Sequence, residues 1–165
     1  MEDVQMIFPD PPRGIKAIPF RAPIWMFRTG LGWIMGSRFL LLTHIGRKTG
    51  LPRQTVLEII NESPDRQVYT VVSGFGSKSQ WYKNIIHNPK VKIQVGTKKF
   101  QALARRLDPD QAEKVFQDYI QRFPRGFQTL AYLIGYQIEH TEEGYRKFSR
   151  QIPIIQFKCA QQSPI

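Results

Sequence analysis

Two apolar runs, Arg38 to Ile45 and Gln54 to Asn61, flank the octapeptide Gly46-Arg47-Lys48-Thr49-Gly50-Leu51-Pro52-Arg53. The first run is rich in Leu and fits a buried strand; the second is apolar and β-branched, a second strand. Two glycines and a proline between them are turn chemistry. The pattern predicts an antiparallel hairpin with a long basic loop. A lone hairpin is marginal in water, so it must pair with further strands. The chain supplies them. Gln67 to Ser73 reads as a strand. Val91, Ile93 and Val95 alternate with Lys92 and Gln94, a half-buried strand. Gly96-Thr97 turns the chain, Lys98 to Leu107 returns, and Pro153 to Lys158 closes. The βαβ alternation of a parallel sheet is absent. The expectation is an α+β, mainly β chain: a small split or closed β-barrel of about six mostly antiparallel strands, with inserted and C-terminal helices.

The helices have their own signals. Ser79 to Asn88 is short, with Ser79 as a candidate cap and Asn88-Pro89 as a stop. Asp108-Pro109-Asp110-Gln111 pairs an Asp cap with Pro at the first helical position, starting a helix to about Phe123. Further helical stretches cover Phe127 to Gln137 and, capped by Thr141, run through Arg150. One domain over 1–165 is expected: an extended arm over 1–18, a helix over 19–37 broken or ended near its glycines, and the barrel over 38–158. A single cysteine, Cys159, excludes a disulfide framework and points to a reducing, cytoplasmic compartment. His44, His87 and His140 stand far apart, so no metal-ligand spacing is present.

Charge narrows the partners. Lys and Arg number 24 against 13 Asp and Glu, a net +11. From Pro11 to Leu57 there are eight basic residues and no acid, and from Arg66 to Leu107 nine and none. Such a field favours anionic ligands. In the octapeptide, glycines let the backbone turn tightly and expose N–H groups, while Arg47, Lys48 and Arg53 add cations and Thr49 a hydroxyl. That combination suits a phosphate, though the residue types alone fit a solvent-exposed basic turn equally well. Ser73-Gly74-Phe75-Gly76-Ser77-Lys78 directly follows a strand, and its small residues would let a planar ring lie against the backbone; an ordinary strand-to-helix loop is the commoner use. It lacks the third glycine of a dinucleotide fingerprint, and Gly30, Gly32 and Gly36 follow no clear strand. Trp81-Tyr82-Lys83-Asn84 falls on the short helix, where Trp81 serves either a pocket or the core. No Ser/His/Asp or Cys/His set and no paired acids emerge. An enzyme built on this chain needs a cofactor that brings its own chemistry.

Taken in order, LLLTHIGRKTGLPRQTVLEII, VYTVVSGFGSKSQWYKNIIHNPKVKIQVG and FQALARRL resemble the deazaflavin-dependent nitroreductases, also called F420H2-dependent quinone reductases. The resemblance spans roughly residues 38–158 and implies a split β-barrel that binds coenzyme F420, a deazaflavin with a phosphate and a glutamate tail. It would place Arg47, Lys48, Thr49 and Arg53 at the phosphate and tail, and Thr55 and Val56 beside the ring. Ser73, Gly74, Phe75 and Gly76 would present backbone groups to the ring edge, with Trp81 and Asn84 closing the pocket. It departs from the family pattern at Val56 and Gln80, where Pro is frequent, and in the longer segment Phe127 to Tyr145. Related split barrels use FMN or FAD, the alternative cofactors. The implied reaction is hydride transfer from reduced deazaflavin to a small-molecule acceptor: a quinone, nitroaromatic or activated enone. Tyr132 and Tyr136 are weak candidates for donating a proton or hydrogen bond, core packing being the commoner role. The rival reading is a non-catalytic or FMN-using split barrel that binds an anionic cofactor or lipid. Nucleic acid is not favoured, since Trp81 and Phe75 are better explained by a pocket. Arg21 to Arg38 mixes aromatics with arginines and no acids, the composition of peripheral contact with an anionic membrane, here the inner membrane surface. Split barrels commonly dimerise, which leaves a homodimer open.

Overall fold

The computed structural model describes residues 7–160. Residues 1–6 of the expected arm lie outside them. The strands are β1 (Phe39–Ile45), β2 (Pro52–Glu62), β3 (Val68–Val72), β4 (Lys90–Val95), β5 (Lys98–Arg106) and β6 (Ile154–Cys159). They close into a barrel in the order β1-β2-β3-β6-β5-β4, and every pairing is antiparallel. The period-two alternation builds the inside. Leu40 and Leu42 on β1, Val91 and Ile93 on β4, and Ile155, Phe157 and Cys159 on β6 form one buried cluster. Helix α2 (Gln80–His87) joins it through Trp81, Tyr82 and Ile85.

A second core lies outside the barrel. Helices α3 (Pro109–Arg122), α4 (Pro124–Ile134) and α5 (Glu142–Gln151) pack there. Phe116 stands 5.1 Å from Phe127 and 5.3 Å from Phe148, ring centre to ring centre. Ile60, Ile152 and Ile154 supply the barrel side of this cluster. Two expected caps are present, Asp108 accepting from the Gln111 amide at 2.9 Å and Thr141 from the Gly144 amide at 3.0 Å, whereas Ser79 makes no side-chain cap hydrogen bond to α2. Helix α4 begins at Pro124, earlier than expected, and ends where Gly135 takes φ 99°.

The helix expected over 19–37 is broken at its glycines, as the sequence suggests, and its second part is not α-helical. It forms α1 (Ile18–Arg28) and then a 3-10 segment, Leu31–Arg38. Gly30 (φ 81°) separates the two and Gly36 (φ 62°) kinks the second. Positive φ does not propagate a right-handed helix, so each glycine redirects the chain. Within the arm, Gly14–Ala17 is a 3-10 turn rather than extended. Phe8 lies over Gly76, where any Cβ would collide with the Phe8 ring, and Asp10 pairs with Lys78 at 2.9 Å.

Phe157 is fully buried at the barrel centre. Phe157→Ala should cost about 3–5 kcal/mol of unfolding free energy. Urea unfolding followed by far-UV circular dichroism measures it, and a loss below about 1 kcal/mol would contradict this packing.

Candidate functional site

The β1–β2 loop is tied to itself. The Gly46 amide donates to the Leu51 carbonyl at 2.9 Å, and the Thr49 and Gly50 amides donate back to Gly46 at 3.2 and 2.8 Å. The Leu51 amide donates to Thr49 Oγ1 at 3.3 Å. Gly50 sits at φ 67°, and a Cβ on Gly46 would stand 2.8 Å from Thr49 Oγ1, so both glycines are needed for this shape. Exposed loop amides, expected from the sequence, are therefore largely absent: four are spent inside the loop. The Arg47 amide goes to Asn84. The loop therefore offers its positive charge through side chains rather than through its amides.

Asn84, on the inward face of α2, organises those side chains. Its Oδ1 accepts from the Arg47 backbone amide at 3.1 Å and from Arg47 Nη1 at 3.0 Å. Arg47 Nη2 donates to Gln80 Oε1 at 3.0 Å. With Oδ1 engaged twice, Asn84 Nδ2 is the donor to His44 Nδ1, 3.1 Å away. His44 is therefore neutral, with its proton on Nε2. It is buried, and that burial, with the Arg53 charge beside it, lowers its pKa to about 4. Lys48 and Arg53 are exposed, and their side chains have no ion-pair or hydrogen-bond partner among the described residues.

These groups edge a groove of about 520 Å³. Arg47, Lys48, Thr49, Arg53, Thr55, Val56, Gly74, Phe75, Trp81 and Asn84 all line it, ten of the site residues expected from the sequence. Its lining contains the cations Arg21, Arg47, Lys48 and Arg53 and no carboxylate. Val56, Leu57, Ile24, Phe20 and Trp81 give it apolar surface. Such an arrangement can hold a flat, largely apolar ring system that carries anionic groups at one end.

Four expected residues lie elsewhere. Ser73 is fully buried, its hydroxyl donating to the Gly76 carbonyl at 2.7 Å, and Gly76 is covered by Phe8. Only Gly74 and Phe75 of that loop reach the groove. Tyr136 lines a separate, apolar cavity, donates to the Gly74 carbonyl at 2.6 Å, and burial pushes its hydroxyl pKa up. Tyr132 is 81% exposed and lines neither cavity. Several groove residues escaped the sequence reading. His44 had a signal: it continues the inward stripe Leu40, Leu42 and pairs in register with Arg53. Pro11, Pro12, Ala17, Phe20 and Arg21 come from the N-terminal region and had none, because only the tertiary path of α1 brings them over the barrel.

The neutral His44 makes stability depend on pH. In the unfolded chain it takes up its proton near pH 6.5, in the fold only near pH 4. Between those values the unfolded state binds more protons, so stability falls as pH drops from about 6.5 towards 4, by on the order of 2 kcal/mol. Comparing urea unfolding of wild type and His44→Gln across that window checks this; parallel curves would refute it.

Residues 24–135 match the model of the family described as F420H(2)-dependent quinone reductase. An F420H(2)-dependent quinone reductase of Mycobacterium tuberculosis strain H37Rv is 38% identical over 73 residues, 42% of this chain and 47% of that protein. The chain thus spans about half the length of the curated relatives it matches. The structure of an F420-H2 dependent reductase, FDR-A, superposes with a TM-score of 0.51 at 25% identity, covering 73% of this chain and 94% of that one. A pyridoxinephosphate oxidase family protein from Clostridium acetobutylicum, 9% identical with a TM-score of 0.51 over 83% of this chain and 84% of its own, shares the split-barrel fold. The match over residues 24–135 places this chain in the F420H(2)-dependent quinone reductase family.

Proposed function

We propose that the groove binds coenzyme F420 and that the chain is an oxidoreductase, reducing a small acceptor. The observation that carries this reading is the groove's composition: four cations, no carboxylate and apolar surface beside them. Those residues suit the cofactor's chemistry. Lys48 and Arg53, unpaired among the described residues, would take the phosphate and carboxylates of the tail. Arg47 is already held by Asn84 and Gln80, so it adds charge without reorganising. Val56, Leu57 and Trp81 would lie against the ring and keep water from it. When bound, reduced F420 supplies a hydride and releases a proton as it is oxidised, so a quinone gaining hydride and proton becomes a hydroquinone. Quinones lead the acceptor classes because the family and curated relatives carry that name; nitroaromatics and activated enones undergo the same hydride addition. Within this reading Tyr136 holds the Gly74 carbonyl at the groove's edge rather than donating a proton to the acceptor.

The same reading places the protein in the cytoplasm with peripheral membrane contact. Trp25 and Trp33 are 63% and 62% exposed, near Arg21 and Arg28 and far from acids in sequence. Among the described residues no helix is long and apolar enough to cross a membrane. Co-sedimentation with anionic vesicles at low salt should pellet the wild type and spare Trp25→Ser/Trp33→Ser. A wild type left in the supernatant removes this part of the proposal.

The first experiment is a fluorescence titration with oxidised F420 and, separately, FMN. F420 should bind, and Lys48→Ala and Arg53→Ala should each weaken it roughly tenfold or more, the loss expected of a charge-assisted hydrogen bond. Binding of FMN alone would replace the cofactor and favour the flavin-using alternative. Binding of neither would overturn the reading.

A further inference from the structure

A second cavity, about 350 Å³, lies between the outer face of β2 and the helical layer. It shares Phe20, Val56, Leu57 and Gly74 with the groove, so the two meet there. Phe116, Phe127, Ala131, Phe148 and Ile152 make most of its wall apolar. One carboxylate interrupts that wall. Glu58, on β2, lines the cavity with a side chain only 16% exposed. Its Oε1 accepts from Tyr119 Oη at 3.1 Å, from Arg38 Nε at 3.1 Å and from Arg38 Nη2 at 3.0 Å. Three donors thus converge on one oxygen, and no described residue donates to Oε2. Nor is that oxygen sealed from outside, since no fully buried side-chain oxygen lacks a partner among the described residues. Tyr119, whose hydroxyl pKa burial and then Glu58 push up, remains a donor.

We propose that this cavity is the acceptor site and that Glu58 Oε2 selects neutral, planar, largely apolar ring systems bearing a hydroxyl donor. The inference rests on the proposed function. A half-buried carboxylate oxygen gains from an O–H donor and repels the lone pairs of a carbonyl or nitro oxygen placed against it. The hydroxyl therefore anchors at Glu58, and the reducible group is turned away from it, towards the mouth at Phe20 and Gly74 where the cavity opens to the groove. Arg38 fixes Glu58 through Oε1 while leaving Oε2 to the ligand. The bonds at Oε1 also tie α3 to β2, and that structural role alone would leave ligand preference untouched.

The test separates the two roles without needing the cofactor. In F420-free protein, quenching of tryptophan fluorescence by naphthol and by methoxynaphthalene measures binding of rings with and without the donor. Naphthol should bind the wild type roughly tenfold more tightly, and Glu58→Gln should abolish that preference. Tyr119→Phe, which breaks the tie to α3 but keeps the carboxylate, should retain it. Ala131→Leu and Ala131→Phe, checked for folding by circular dichroism, should weaken both probes by filling the cavity. In turnover with reduced F420, the hydroxymethyl analogue of menadione should show a lower KM than menadione, a difference lost in Glu58→Gln while F420 affinity is unchanged. Equal binding of the two probes, or a preference that survives Glu58→Gln, would overturn the inference. A wild type that binds the probes as expected but not F420 would instead sink the proposed function and leave the cavity's selectivity standing.

Discussion

Strand β2 is the shared wall on which everything else depends. It is the longest strand, eleven residues, and is paired along both edges. Its inward residues Leu57 and Ile59 pack on the barrel core, and Ile60 packs in the outer core. Thr55 faces the charged groove, while Glu58 meets α3 and the apolar cavity. A one-residue slip would exchange all of these at once. Register is held at the hairpin end, where the Gly46 amide closes on the Leu51 carbonyl and His44 stands opposite Arg53. The loop's amides, turned inward, set the strand that presents the site.

Four cations beside one groove repel each other, and how they are held matters. Arg47 is fastened by two side-chain amides, Asn84 and Gln80. A carboxylate in either place would hold the guanidinium as well and cancel its charge; an amide fixes the position and leaves the field intact. His44 follows the same logic. Neutral, it accepts from Asn84 and sets the amide's orientation; protonated, it could not accept, and it would add another positive charge beside Arg53. Carboxylates are used elsewhere: Asp110 and Glu113 meet Arg150, and Asp118 meets Arg122, in the helical layer.

The barrel was legible because β residues repeat with period two and the turns carry Gly and Pro. All six strands fall within a few residues of their expected places. The octapeptide was legible as a cationic loop, but not in its hydrogen bonding, because residue types do not say whether an amide points out or back into its own turn. Ser73 and Gly76 looked like site residues, since small residues after a strand suit a ligand. One instead bonds inside its loop and the other makes room for Phe8. Tyr132 and Tyr136 are indistinguishable in sequence; α4 ends at Ile134 and Gly135, at φ 99°, redirects the chain between them, which leaves Tyr132 in solvent and Tyr136 at a cavity wall. Glu58 gives no signal of a site, because an acid in an otherwise apolar strand reads as the solvent side. Here that side faces α3 and Tyr119.

The family match covers most of the groove and leaves part of the apolar cavity outside it. Residues 24–135 contain the loop, β2, the Gly74-Phe75 turn and α2, and so most of the groove. They stop short of β6, which pairs with both β3 and β5, so the matched segment by itself leaves two strand edges open. They also stop short of Phe148 and Ile152, which wall the apolar cavity, and of Tyr136, which braces Gly74 where the two cavities meet. The charged groove therefore draws mainly on the part of the chain shared with the family. The apolar cavity is finished by residues outside the match, and differences among related chains in what fits that cavity are expected to arise there. Because both cavities border Val56, Leu57 and Gly74, a change in the outer layer can reshape the junction between them without touching Lys48 or Arg53.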